Sequence, residues 1–222
     1  MGTLYLVRHG QASFGAADYD QLSELGARQC QALGDWFRER GIVFEAVLRG
    51  TLRRHEQSLA ALLQGYGVTP AALAWPGLNE YDGEAIVRAM KPEPIADPRT
   101  PEGYRAHFRL LRVGLQRWMA GDTAPAGMPS YAEFVAGVTT ALDHVRQQHE
   151  GDVLMVSSGG PISTAVGHVL GTSAETTIEL NLRIRNSSLT EFAFTPRRHM
   201  LVAYNHLPHL DAPERRDWVT YS

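Results

Sequence analysis

The chain has 222 residues, 44% hydrophobic and 20% charged, with a formal net charge of −3. That length holds one large or two small domains and a sizeable core. The charge balance excludes a global pull on nucleic acid or an anionic membrane, so anion binding has to be local. One cysteine, Cys30, excludes an internal disulfide and fits a reducing compartment. It falls inside a helical pattern, where a small packed side chain is expected. The first apolar run stops at Arg8, short of the about 7–15 residues of a secretory signal core. No stretch approaches the roughly 20 apolar residues of a membrane span. The chain therefore reads as cytoplasmic, and the sequon at Asn186-Ser187-Ser188 carries no meaning without secretion.

In chain order, residues 3–7 form an apolar strand that stops on Arg8-His9-Gly10. Turns favour Gly, Asn, Asp, Ser and Pro, so an arginine beside a histidine is an unusual stop. Residues 22–40 have helical spacing, ended by Gly41. A short strand at 44–48 precedes a helix at 51–66, closed by Gly65 and Gly67. Residues 72–75 read as a strand stopped by Pro76-Gly77. Residues 81–129 hold half of the chain's 12 prolines and one strong helix at 101–119, and read as a helical lid inserted over the sheet. Ser130 opens a helix to 149, with Glu133 completing a capping box. A buried strand at 152–157 is followed by a helix from Pro161 to 170, then by strands at 188–194 and 200–204. Strands alternating with helices predict an α/β fold. The expected architecture is a single three-layer α/β/α sandwich over residues 1–222, with a mainly parallel central sheet.

Four segments sit where strands or turns feed helices: Arg8-His9-Gly10, Arg53-Arg54, Leu78-Asn79-Glu80 and Ser157-Ser158-Gly159-Gly160-Pro161. In a parallel sheet such ends converge on one rim. Together they suit an anionic substrate. Two arginines can fork onto phosphoryl oxygens. Gly159 and Gly160 let backbone N–H groups approach an anion at a helix N-terminus. A histidine can attack phosphorus, and a carboxylic acid of raised pKa can protonate the departing oxygen. No cluster of ligands at metal spacing accompanies them, so neither a metal nor another cofactor is expected.

These segments carry a resemblance. Leu4-Tyr5-Leu6-Val7-Arg8-His9-Gly10-Gln11 resembles the N-terminal signature of the histidine phosphatase superfamily, the phosphoglycerate mutase-like proteins. Leu22-Ser23-Glu24-Leu25-Gly26-Ala27-Arg28-Gln29 resembles its L-T-x-x-G-x-x-Q helix. Thr51-Leu52-Arg53-Arg54-His55-Glu56-Gln57-Ser58 resembles S-x-L-x-R-A-x-x-T-A. Leu78-Asn79-Glu80 resembles L-x-E, and Val153-Leu154-Met155-Val156-Ser157-Ser158-Gly159-Gly160 resembles the strand and turn that read V-S-H-G. Order and spacing match over nearly the whole chain. The resemblance implies that His9 is the nucleophile of a phosphohistidine mechanism. Arg8 and Arg54 would hold the phosphoryl group, and Glu80 would be the general acid and then the base. Gly10, Gln11 and Ser13 would line the mouth, with Ser158 and Gly159 on the phosphate.

The sequence departs from the pattern at position 158, where Ser158 stands in place of a second pocket histidine. Serine donates one hydrogen bond and brings no charge. By analogy with one oxyanion donor, the loss is about 2.7–4 kcal/mol and would lower the rate. His55, in place of the usual alanine, and Arg49 and Arg53 are the residues near enough in sequence to compensate. A neighbour of Arg54 on a helix points about 100° away, which argues against His55 and Arg53. Ser158 is also a good helix cap. Gly15 replaces an asparagine common after the signature, so the loop at 13–17 reads as smaller and more flexible. The other histidines (His107, His144, His149, His168, His199, His206 and His209) are given no function.

The expected activity is a metal-independent phosphatase acting on a small phosphomonoester, with no nucleic-acid or membrane partner. A phosphate-binding or regulatory protein of low turnover, and a phosphoglycerate-mutase-type phosphotransferase, are the alternatives. The oligomeric state, a homodimer included, stays open.

Overall fold

A computed structural model of the protein describes residues 1–13, 20–90 and 100–221. The loop expected at 13–17, beyond Ser13, and part of the segment at 81–129 lie outside the described residues. The strands are β1 (Gly2–Arg8), β2 (Phe44–Arg49), β3 (Ala72–Ala74), β4 (Asp152–Ser157), β5 (Leu189–Thr195) and β6 (Arg198–His206). They form one sheet in the order β3-β2-β4-β1-β5-β6. The pairs β1–β4, β2–β4 and β2–β3 are parallel, whereas β5 joins β1 and β6 antiparallel.

Strand residues alternate between two faces. Leu4, Leu6, Leu48, Val153, Met155, Phe192 and Phe194 enter one core, and Val7, Val47, Leu154, Val156 and Leu189 enter the other. Helices α1 (Glu24–Glu39) and α2 (Arg53–Tyr66) cover the second face through Leu33, Phe37, Leu59 and Leu62. The first face is covered by α3 (Gly83–Ala89), α4 (Pro101–Ala120), α5 (Tyr131–Gln148), α6 (Gly159–Leu170) and α7 (Ala174–Arg183). Sheet and two helical layers give the expected α/β architecture. Helices α3 and α4, from the segment read as a lid, place Ile86, Leu111, Leu115 and Trp118 in the same core as α5 and α6.

The sequence reading has no counterpart for α3 or α7. Each is short and carries polar residues through its length, so periodicity is weak, while caps define them. Asp82 accepts from Ala85 N, and Ser173 from Thr176 N. Helix α6 begins at Gly159, two residues before the proline expected to open it. The capping box at Ser130 and Glu133 is formed. Among the described residues, no helix is long and apolar enough to cross a membrane.

Candidate active site

Strands β1 and β4 lie side by side, with Arg8 opposite Ser157. From β1 the chain crosses to one side of the sheet, and from β4 it returns to the other. That reversal opens a crevice beyond the carboxyl ends of the two strands. His9 follows β1 and Ser158 follows β4, and His9 N donates to Ser157 O at 2.9 Å.

His9 is 3% exposed, and its Nδ1 lies 2.7 Å from Gly10 O. A carbonyl oxygen only accepts, so Nδ1 carries the proton and Nε2 keeps its lone pair. Burial, then the charges of Arg8 and Arg54 and the neighbouring His55, hold the ring well below the usual histidine pKa. The result is a neutral imidazole with one nitrogen free to act as a nucleophile.

Arg8 and Arg54 are both buried. Arg8 Nη1 donates to the carbonyls of Ile184, at 2.5 Å, and Tyr221, at 2.8 Å. These contacts anchor its guanidinium from chain segments far away in sequence. Arg54 is the second residue of α2, and its Nη1 pairs with Asp20 at 2.8 Å. Asp20 also accepts from the backbone N–H groups of Arg53 and Arg54, at 2.9 and 3.3 Å. Leu52, the residue before α2, offers no side-chain cap, so Asp20 caps the helix from outside. Sequence reasoning missed Asp20, because nothing in a loop sequence announces a cap for a distant helix.

The turn that carries the acid is pinned at each residue. Leu78 is buried, and its carbonyl accepts from Ser157 Oγ at 2.7 Å. Asn79 exchanges hydrogen bonds with Thr51, at 2.7 and 2.6 Å. Glu80 accepts the Gly160 N–H on both carboxylate oxygens, at 3.1 Å each. Burial raises its pKa, against the opposing pull of Arg54, the Gly160 N–H, Arg8 and the Tyr81 N–H. The nearby acids are engaged elsewhere: Asp82 caps α3, and Glu84 pairs with Arg88 at 3.1 Å. A Cβ at position 160 would lie 2.1 Å from Glu80 Oε1, so any larger residue there would displace the carboxyl. The expectation that Gly160 offers its N–H to an anion is therefore corrected: that N–H holds the acid. Gly159 is buried at the start of α6, where a Cβ would crowd Asn181.

Two further expectations change. Ser158 is fully buried and precedes α6, yet its side chain makes no capping bond. Its Oγ instead lies 2.6 Å from Nε2 of His55. His55 itself is fully buried, with its ring 5.8 Å from that of His9. The argument from helical direction fails because the rim meets α2 end-on. Residues of a first turn splay around the helix axis, and two neighbours can border one pocket. The alanine-to-histidine change was the one sequence signal for His55. Arg49, by contrast, pairs with Glu56 at 3.1 Å, and Arg53 is exposed.

Gly10, expected to line the mouth, instead serves His9. Its carbonyl fixes the ring, its N–H goes to Ser58 Oγ at 3.1 Å, and a Cβ would strike Gly26 of α1. The Gln11 side chain accepts from Ser23 Oγ at 2.9 Å, which ties it to the cap of α1 rather than to open space. Ser13 N donates to Gln21 O at 2.7 Å, at the foot of the loop whose further residues, Gly15 among them, lie outside the described ones. Ser58 and the buried Asn186, whose Nδ2 lies 3.5 and 3.4 Å from the carbonyls of His9 and Gly10, support the nucleophile and were missed. Among the described residues, no group of three or more His, Cys, Asp or Glu is placed to hold a metal ion.

Residues 4–207 match the family model described as the histidine phosphatase superfamily, branch 1. No curated protein matches the chain. Among solved structures, phosphoserine phosphatase from Entamoeba histolytica, in complex with phosphoserine, is 19% identical, with a TM-score of 0.65 over 95% of this chain and 100% of that one. The alpha-ribazole phosphatase from Shigella flexneri is 18% identical, with a TM-score of 0.63 over 92% and 96% of the two chains. A phosphoglycerate mutase from Bacillus anthracis is 16% identical, with a TM-score of 0.64 over 94% of each. At these identities the likeness is one of fold.

Proposed function

From the premise that this chain belongs to the histidine phosphatase superfamily, branch 1, we propose that it hydrolyses small phosphomonoesters through a phosphohistidine on His9, without a metal. The observation that carries the reading is the Nδ1–H of His9 donating to Gly10 O, beside two buried arginines and a carboxyl of raised pKa.

Nε2 of His9 attacks phosphorus, and the bond to the ester oxygen breaks as the Glu80 carboxyl gives its proton to that oxygen. The alcohol leaves. Glu80, now ionised, takes a proton from water, whose oxygen attacks phosphorus. The P–N bond breaks, its electron pair returns to Nε2, and inorganic phosphate departs. Arg8 and Arg54 stabilise the charge on the equatorial oxygens in both steps.

The test is hydrolysis of p-nitrophenyl phosphate with chelator present, in wild type and in His9→Ala. Chelator-resistant turnover that His9→Ala abolishes supports the proposal. Turnover that survives His9→Ala, or that chelator removes, contradicts it.

A further inference from the structure

His55 and Ser158 come from different elements, the first turn of α2 and the turn between β4 and α6, and both are fully buried. Their side chains meet at 2.6 Å between Nε2 and Oγ. Gly50 makes room for the ring, since a Cβ there would lie 2.1 Å from His55 Nδ1. Nδ1 itself has no hydrogen-bond partner among the described residues.

A neutral imidazole has one proton to place. On Nδ1 it would be a buried donor with no acceptor, and Ser158 would have to donate its own proton to Nε2. On Nε2 it goes to Ser158 Oγ, and the serine proton is left for a third group. The unsatisfied atom is then an acceptor, which native structures tolerate better than an orphaned donor. Ser158 Oγ makes no other hydrogen bond among the described residues, and its residue caps nothing. Its proton is therefore uncommitted, one residue beyond the strand end that pairs with the Arg8–His9 end of β1.

We infer that His55 and Ser158 form a donor relay in which His55, as a positioning residue, turns the Ser158 hydroxyl onto an oxygen of the bound phosphoryl group. The serine that stands in place of a second pocket histidine is then one half of a pair whose other half arrives from α2. The inference rests on the phosphatase reading, because a phosphoryl group is the acceptor it supplies.

The test uses the full chain with His55→Leu (packing kept, donor lost), His55→Gln (an N–H donor kept), Ser158→Ala and the double variant His55→Leu/Ser158→Ala. It reads kcat and KM for p-nitrophenyl phosphate and the affinity for inorganic phosphate, with folding checked by near-UV circular dichroism. His55→Leu and Ser158→Ala should each lower kcat about 10²–10³-fold, with a smaller change in KM, in keeping with loss of one donor to a developing oxyanion. The double variant should be no worse than the poorer single, and His55→Gln should recover most of the rate. Wild-type kcat in a folded His55→Leu overturns the relay, as does a double-variant loss equal to the product of the single losses. If His55→Leu does not fold, His55→Gln/Ser158→Ala should match Ser158→Ala, and a further multiplied loss overturns the relay. A phosphoryl group trapped on Ser158 also overturns it. If the wild type hydrolyses nothing, the phosphatase reading fails and phosphate affinity decides the relay. A drop of about tenfold in both single variants upholds it, and unchanged affinity overturns it.

Discussion

Gly160 gives its single backbone N–H to both oxygens of Glu80, at 3.1 Å each, and the absence of a Cβ on Gly160 is what lets the carboxyl lie there. The same N–H that favours the ionised carboxylate competes with a burial that disfavours it, and burial is the larger influence. Glu80 is thereby poised to give up a proton and recover it.

The acid form of Glu80 is the one that protonates a leaving oxygen, and its pKa is raised. Activity on an alkyl phosphate should therefore be full below that raised value and fall as pH rises through it. A p-nitrophenyl ester, whose leaving group needs no proton, should lack this fall in its phosphorylation step. Glu80→Gln should lower alkyl phosphate turnover by about 10²–10⁴-fold, the usual worth of a general acid. Pre-steady-state rates for the two esters across pH check both statements.

Gly160→Ala should act as a partial Glu80 deletion. A Cβ 2.1 Å from Oε1 cannot be accommodated without moving the carboxyl. Alkyl phosphate turnover should fall more than p-nitrophenyl phosphate turnover, with phosphate affinity nearly kept. Equal losses on the two esters would mean that the variant disturbs the whole pocket.

Much of this site was legible in the sequence because its parts sit at the ends of regular elements. Arg8 and His9 follow a strand whose apolar residues fix their place, and Glu80 falls two residues after Leu78, where the resemblance to L-x-E puts the acid. What escaped was carried by long-range contacts. Asp20 caps α2 across 33 residues of sequence, and Asn186 reaches His9 O across 177. No local pattern encodes either. The place of His55 departs from the helical-direction argument because angular separation on a helix means separation in space mid-helix but not where a first turn faces a pocket. Gly160 is expected from sequence to offer its N–H to an anion and Gly10 to line the mouth, whereas their N–H groups go to Glu80 and Ser58.

Asp20→Ala should destabilise the protein by about 1–2 kcal/mol. It removes the cap from the α2 N–H groups and the partner of a buried guanidinium. Urea unfolding followed by circular dichroism measures the shift, and an unchanged midpoint would contradict the capping role.

Stability should fall in mild acid. His55 and His209 are buried and held down to about 3, His55 by burial and then Arg54 and Arg49, His209 by burial and then Arg215 and His206. Unfolded, each titrates near the ordinary histidine value, so below about 6.5 the unfolded chain binds protons that the folded one refuses. Stability is thus complete above that pH and lost as pH falls toward 3. Between pH 7 and 5 the two histidines together cost on the order of 2–4 kcal/mol. Unfolding free energies at the two pH values check this. His209→Gln, which loses the titrating group facing Ser187, should flatten the dependence.

The central claim is that His9 carries the phosphoryl group, and covalent trapping tests it most directly. Wild-type protein is mixed with a 32P-labelled phosphomonoester, quenched in alkali within milliseconds, digested and mapped. The account predicts label on the peptide that holds His9, stable in base and lost in acid as a phosphoramidate is, and absent from His9→Ala. Label that is stable in acid, or that lies on any other residue, would contradict it.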